Sequence, residues 1–125
     1  MDSVTSRIIE RSTMDVMAEF ERPSPNSARA TRAYPLAPED FTKAVERAVE
    51  KLPRWSLESK DAEKIHAVRE SRIFRFKDDV TVNLSTQNNG TEARFESASR
   101  VGKSDLGQNP RNLRELLKAV NEELV

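Results

Sequence analysis

Asp78, Asp79, Ser97, Ser99, Arg100 and Asp105 are the residues of this chain whose types and spacing could support chemistry. A carboxylate can act as acid or base, a hydroxyl can attack or hold a ligand, and a guanidinium recognises anions. Their placement follows from the alternation of Val80, Val82 and Leu84 with Thr81, Asn83 and Ser85, and of Ala93 and Phe95 with Glu92, Arg94 and Glu96. Both runs have the period of a half-buried strand, and Asn89-Gly90 between them predicts a two-residue hairpin loop. With that loop Leu84 faces Phe95, Val82 faces Ser97, Val80 faces Ser99, and Asp79 stands directly opposite Arg100. Asp79 and Arg100 then form an outward ion pair at the open end of the hairpin. Asp78 has the other parity and shares the apolar face with Ser97 and Ser99. An inward carboxylate needs partners or water. The pattern therefore predicts either a ligand site at this end of the sheet or a satisfied network tying the sheet to the loop after Val101.

Five other constellations compete. Ser97 followed by Gly102-Lys103-Ser104 comes within one residue of a phosphate-binding loop, but Asp105, Gly107 and Pro110 delay the helix that such a loop must feed at once. Gly102 and Gly107 with Arg100, Lys103 and Arg111 suit a weaker anion site at a helix N-terminus, where Asp105 would compete for the same donors. His66 is a conceivable general base, although its alternation with Ile65 and Ala67 places it on the opposite side from them. Asp78, Asp79 and Asp105 have the oxygen ligands for a hard cation, yet their spacing specifies no site, and no metal or cofactor is expected. Arg69, Arg72, Arg75 and Lys77 form a basic run interleaved with Phe74 and Phe76. Such a run suits RNA if the rings are exposed, but period-two aromatics are expected in the core.

Two helices must complete the layer that positions these residues. Pro38 suits a first helical position, Glu39 and Asp40 favour the first turn, and Phe41, Ala44, Val45, Ala48, Val49 and Leu52 form one stripe ended by Pro53. Asn109 is the expected N-cap and Pro110 the expected first residue of a closing helix striped by Leu113, Leu116, Leu117, Val120 and Leu124. Further strands are expected over Ala28–Tyr34, from Trp55, and over Ile65–Ser71, with Trp55 as a core anchor. Arg22–Ser27 reads as linker, so residues 1–26 are expected to form a weakly ordered arm and residues 27–125 a single domain. The expected fold is α+β: two layers, an antiparallel sheet of four or five strands with two helices on one face.

Composition narrows the function. The chain has 125 residues, 36% of them hydrophobic, with 21 basic and 21 acidic side chains, no cysteine and a single histidine. Lack of cysteine excludes disulfides, thiolate catalysis and iron–sulfur clusters, and one histidine excludes a multi-histidine metal site. Net neutrality gives no strong nucleic-acid signal. Met1-Asp2-Ser3-Val4 lacks the basic start and apolar run of a signal peptide, and no stretch is long and apolar enough to span a bilayer, so a cytoplasmic location is expected.

Pro53-Arg54-Trp55, Ser71 with Ile73-Phe74-Arg75-Phe76, Asp78-Asp79-Val80, and the run from Ser97-Ala98-Ser99-Arg100 to Asp105-Leu106-Gly107 with Asn109 stand in order along the chain. Together they resemble the family named domain of unknown function 1499, from about Ser24 onward, where Ser24-Pro25-Asn26 is similar to the family's Ser-Pro-Asn element. Departures are Ser27 where the family often has cysteine nearby, and Glu96 where it often has arginine. The resemblance implies a fold and no reaction. The functional expectation is a noncatalytic module that binds a small or anionic ligand, or a partner, through Asp78, Asp79, Ser97, Ser99, Arg100 and Asp105. The alternatives are a hydrolase using Asp78 or Asp105, and a scaffold acting through its arm or basic strand.

Overall fold

The computed structural model describes residues 20–125. Most of the expected arm, residues 1–19, lies outside the described residues. The order is β1 (Ser27–Tyr34), α1 (Pro38–Lys51), β2 (Trp55–Lys60), β3 (Lys64–Glu70), β4 (Lys77–Gln87), β5 (Gly90–Ser99) and α2 (Gln108–Leu124). The strands form one sheet in the order β1-β5-β4-β3-β2, every neighbouring pair antiparallel. Both helices lay their apolar stripes on one face of the sheet, so the fold is the expected two-layer α+β architecture.

The alternation decides which face is covered. Ala28, Ala30, Tyr34, Ile65, Ala67, Val80, Val82, Leu84, Ala93 and Phe95 share the core with Phe41, Val45, Ala48 and Val49 of α1 and Leu113, Leu116, Leu117 and Val120 of α2. Tyr34, Phe41 and Phe95 form its aromatic centre, with Tyr34 4.5 Å from Phe41 and Phe41 edge-on to Phe95 at 6.4 Å between ring centroids. Trp55 is buried as expected, and its indole N–H donates to Glu115 Oε1 at 2.8 Å. The helices are joined at their far ends by Glu123, which pairs with both Arg47 and Lys51.

Three local expectations are corrected. The hairpin loop is Asn88-Asn89, not Asn89-Gly90: both asparagines have positive φ (46° and 67°), and Gln87 pairs with Gly90. Gly90 is the first residue of β5, and a side chain there would collide with the carbonyl oxygen of Tyr34. The register consequently moves by two residues, so Asp78 faces Ser99, Val80 faces Ser97 and Val82 faces Phe95. An even shift preserves every inward and outward assignment. Asp79 faces Ala98, however, and Arg100 lies beyond the strand.

The second correction concerns α2, which starts at Gln108 with Gly107 as its cap residue at φ 83°; Asn109 and Pro110 lie inside the first turn. The third concerns Phe74 and Phe76, which are not core. The chain turns between β3 and β4, where Ser71 N–H donates to Phe76 O and Ser71 Oγ accepts from Phe76 N–H, both at 2.8 Å. Strand alternation therefore does not extend through residues 71–76, and these rings project into solvent.

Candidate functional site

Antiparallel pairing brings the starts of β1, β2 and β4 and the ends of β3 and β5 to one end of the sheet. All six predicted site residues lie there. The alternation that buries Val80, Val82 and Leu84 carries Asp78 to the same inner face, where its residue is only 6% exposed. Asn112 reaches it from α2, donating from Nδ2 to Asp78 Oδ2 at 2.8 Å and to Ser97 Oγ at 3.1 Å. Asn109, one turn earlier on the same helix face, accepts the Ser97 hydroxyl at 2.6 Å. Its Nδ2 group in turn faces Ser99 Oγ at 2.9 Å, Asn26 O at 2.7 Å and Asp105 Oδ2 at 2.7 Å. Gln108 closes the set by donating to Asn112 Oδ1 at 2.7 Å. The cost of burying this carboxylate and these hydroxyls is offset because each has a protein partner.

Asp105 stands where an external anion would have to sit. It accepts the backbone N–H groups of Gly107 at 2.7 Å and Asn109 at 3.2 Å, its own carbonyl takes that of Gln108, and Arg22 Nη2 approaches Oδ1 at 2.9 Å. Burial pushes this carboxyl upward, but the hydrogen bonds from Asn109, Gly107 and Arg22 together hold it below the usual carboxylate range. The helix N-terminus is thus capped by the chain's own carboxylate, the competition the sequence foreshadowed. Pro25 O and Asn26 O accept the N–H groups of Asp105 and Ser99 at 3.1 and 3.0 Å, and Asn26 Nδ2 donates to Gly102 O. The Arg22–Ser27 stretch therefore runs against loop 100–107. Lys103 and Ser104 are exposed in that loop, and no helix follows them directly.

On the other face of the sheet, Arg100 reaches back diagonally to Asp79 with two hydrogen bonds, Nε to Oδ2 at 2.9 Å and Nη2 to Oδ1 at 2.8 Å. His66 Nε2 meets the same Oδ1 at 2.7 Å. The Arg100 guanidinium, helped by His66 and opposed by partial burial, lowers the Asp79 pKa to about 2. The chain's one histidine and its two site serines are consequently on opposite sides of the sheet. Ser97 donates to an amide oxygen, which cannot activate it as a base would.

Sequence reasoning missed Asn109 and Asn112 as the hub of the site, and it missed Asn26. The signal for the first two was present: asparagines three apart, at the head of the leucine stripe, are polar residues at core positions. Among the described residues, surface clefts of about 220–650 Å³ flank the sheet and α1, and Asp78, Ser97, Ser99 and Asp105 do not line these. The smallest, walled by Arg54, Glu58, Val68 and Lys77, adjoins the site's end of the sheet on its outer face. Among the described residues no three His, Cys, Asp or Glu side chains come together to hold a metal, and no helix is long and apolar enough to cross a membrane.

Fold and site together define a two-layer α+β domain whose inner sheet face ends in a buried Asp-Ser-Asn cluster. Residues 5–120 match the family model described as Protein of unknown function (DUF1499), and the chain belongs to that family. No curated protein matches it. Among solved structures it is similar to protein MLL2253 from Mesorhizobium loti, at 12% identity and a TM-score of 0.58, over 78% of this chain and 96% of that one. It is also similar to Mll3558 from Rhizobium loti, at 16% identity and a TM-score of 0.48, over 78% and 95% of the two chains. The first likeness supports the fold alone.

Proposed function

We propose that this chain is a noncatalytic binding module that takes an anionic ligand or partner at the end of the sheet carrying Asp78, Asp79, Ser97, Ser99, Arg100 and Asp105. The observation that carries this reading is the internal saturation of the buried cluster. Asp78, Ser97, Ser99 and Asp105 direct their hydrogen bonds to Asn109, Asn112 and backbone, and so hold loop 100–107 against the sheet. Around this clamp several exposed cations gather, with Glu58 as an exposed carboxylate among them. Arg72, Lys77 and Lys103 are exposed and have no ion pair among the described residues, while Asp79 is neutralised by Arg100. In this reading Asp78, Ser97, Ser99 and Asp105 are positioning residues, and Arg100, anchored by Asp79, joins the cations that meet the ligand. A hydrolase using Asp78 or Asp105 would need that carboxylate as a base on a nucleophile, but the Asn112 amide lies between Asp78 and Ser97 and the Asn109 amide between Asp105 and Ser99.

The test uses hexyl phosphate and inorganic pyrophosphate as soluble anionic probes. At a hundred times the dissociation constant, mass action stabilises the folded chain by about 2.7 kcal/mol, seen as a raised melting temperature. That gain should shrink in Arg72→Gln and Lys103→Gln. Turnover of an ester or phosphoester substrate that disappears in a folded Asp78→Asn chain would overturn the noncatalytic reading.

A further inference from the structure

The site's end of the sheet carries most of the exposed large apolar side chains of the described residues, the others being Leu57 and Val125. Ile73 is 79% exposed, Phe74 72% and Phe76 54%, all in the β3–β4 loop, while Leu106 is 85% and Val101 56% exposed in loop 100–107. The two loops are neighbours, because Arg100 N–H donates to Lys77 O at 3.1 Å. Phe74 and Phe76 stack on each other with centroids 5.6 Å apart and planes 19° from parallel, forming one apolar knob. Apolar exposure gathered at one end of a sheet in this way marks an interaction surface.

Charge is segregated to the same place. Arg54, Arg72, Arg75, Lys77, Arg100 and Lys103 border the two loops, in a chain whose basic and acidic residues are equal at 21 each. Three acidic residues at this end are already engaged, Glu70 with Arg75, Asp79 with Arg100, and Asp105 with Arg22 and the α2 N-terminus, and Glu58 is the exposed carboxylate left beside Arg54 and Lys77. Arg75 and Arg100 are taken up by these pairs, whereas Arg54, Arg72, Lys77 and Lys103 have no ion pair among the described residues, and an apolar tip beside such cations is complementary to an apolar layer beneath a negatively charged one.

We infer that this end of the sheet seats on the surface of an anionic lipid bilayer, with Ile73, Phe74, Phe76 and Leu106 entering the headgroup–acyl boundary and Arg72, Lys77 and Lys103 meeting the headgroups. The inference rests on the reading of this end as an anion-binding end and names its partner. Apolar side chains that enter the interface and cations that stay at the headgroups are the two forces of peripheral attachment. A single-stranded nucleic acid would use the cations, but not Ile73, Val101 or Leu106, which have no ring to stack on a base. The phenyl rings already cover one face of each other. The buried Asp78-Asn112 and Asp105-Asn109 contacts supply the rigidity that keeps loop 100–107 beside the β3–β4 loop.

The experiment is co-sedimentation of the full chain with vesicles of phosphatidylglycerol and phosphatidylcholine in equal parts, with phosphatidylcholine alone, and retention on poly-uridine RNA. The chain should partition onto the anionic vesicles and far less onto the neutral ones, with binding weakened by salt. Arg72→Gln and Lys77→Gln should each lower the partition by about fivefold, the equivalent of about 1 kcal/mol per cation at the surface. The Phe74→Ser/Phe76→Ser variant should lower it by about tenfold or more. Because these side chains are exposed, their melting temperatures should match the wild type. Equal partition of wild type and variants, or none, overturns the inference. Retention on poly-uridine that the phenylalanine variant abolishes, without vesicle binding, assigns the end to RNA instead. Silence toward vesicles with a response to hexyl phosphate overturns the bilayer and leaves the anion-binding reading standing. Silence toward both overturns both.

Discussion

The amide of Asn112 and the carboxylate of Asp78 meet at 2.8 Å inside the protein, 34 residues apart in sequence, and join the closing helix to the second residue of β4. Asn112→Ala removes the donor and leaves a buried carboxylate and the Gln108 amide without that partner. The expected loss is about 3 kcal/mol, since orphaning a buried charged group costs more than the bond is worth. Urea denaturation of the two chains measures it, and a loss under about 0.5 kcal/mol, the range of an ordinary surface change, would mean that the contact does not hold the helix.

Asp105 caps α2 from outside it. Asp105→Ala frees the N–H groups of Gly107 and Asn109 and the Asn109 amide, so the expected cost is about 2 kcal/mol, the upper range for loss of a cap. Hydrogen exchange at Gly107 and Asn109 should accelerate selectively. Unchanged exchange there would show that other groups satisfy the helix start.

Gly90 tests the register. Alanine there meets the Tyr34 carbonyl, and the expected penalty is about 1–3 kcal/mol, as for other overpacked sites. Asn89→Gly should be tolerated, because glycine readily adopts the positive φ of 67° found at that position. If Asn89-Gly90 were the loop instead, Gly90→Ala would be felt as turn strain and would not disturb Tyr34 in a spectrum of the aromatic ring.

Asp79 sets an acid limit. Its folded-state pKa of about 2 lies below the ordinary 3.8, so its contribution is complete above 3.8 and is lost as pH falls through about 2. Solvent screening at this partly exposed pair keeps the gain to about 1 kcal/mol or less. Arg100→Ala should raise the Asp79 titration midpoint toward 3.8 and flatten the stability change across that window. A midpoint that stays near 2 in the variant would assign the shift to another group.

Val80, Val82 and Leu84 sufficed to place Asp78 inward and Asp79 outward, since parity is a local property of a strand. The helix stripes at Phe41–Val49 and Leu113–Val120 were equally plain. The hairpin register was misplaced because Asn88, Asn89 and Gly90 all tolerate positive φ, and the choice among them depends on Tyr34, which arrives from β1. Phe74 and Phe76 alternate as core residues do, but the turn closed between Ser71 and Phe76 interrupts the strand period there and leaves both rings outside. Asn26, which joins the stretch before β1 to loop 100–107, was beyond reach: a contact between residues 76 apart leaves no local trace.

We assign binding to the end of the sheet where the buried cluster holds loop 100–107 beside the β3–β4 loop. The most direct measurement is a backbone amide chemical-shift map of the full chain titrated with hexyl phosphate, which carries both an anionic head and an apolar tail. The account predicts that the shifts concentrate in residues 71–77 and 100–107 and fade in Arg72→Gln. Shifts clustered instead around Pro38 and Lys60, or on the outer sheet face at Arg29 and Arg94, would contradict it.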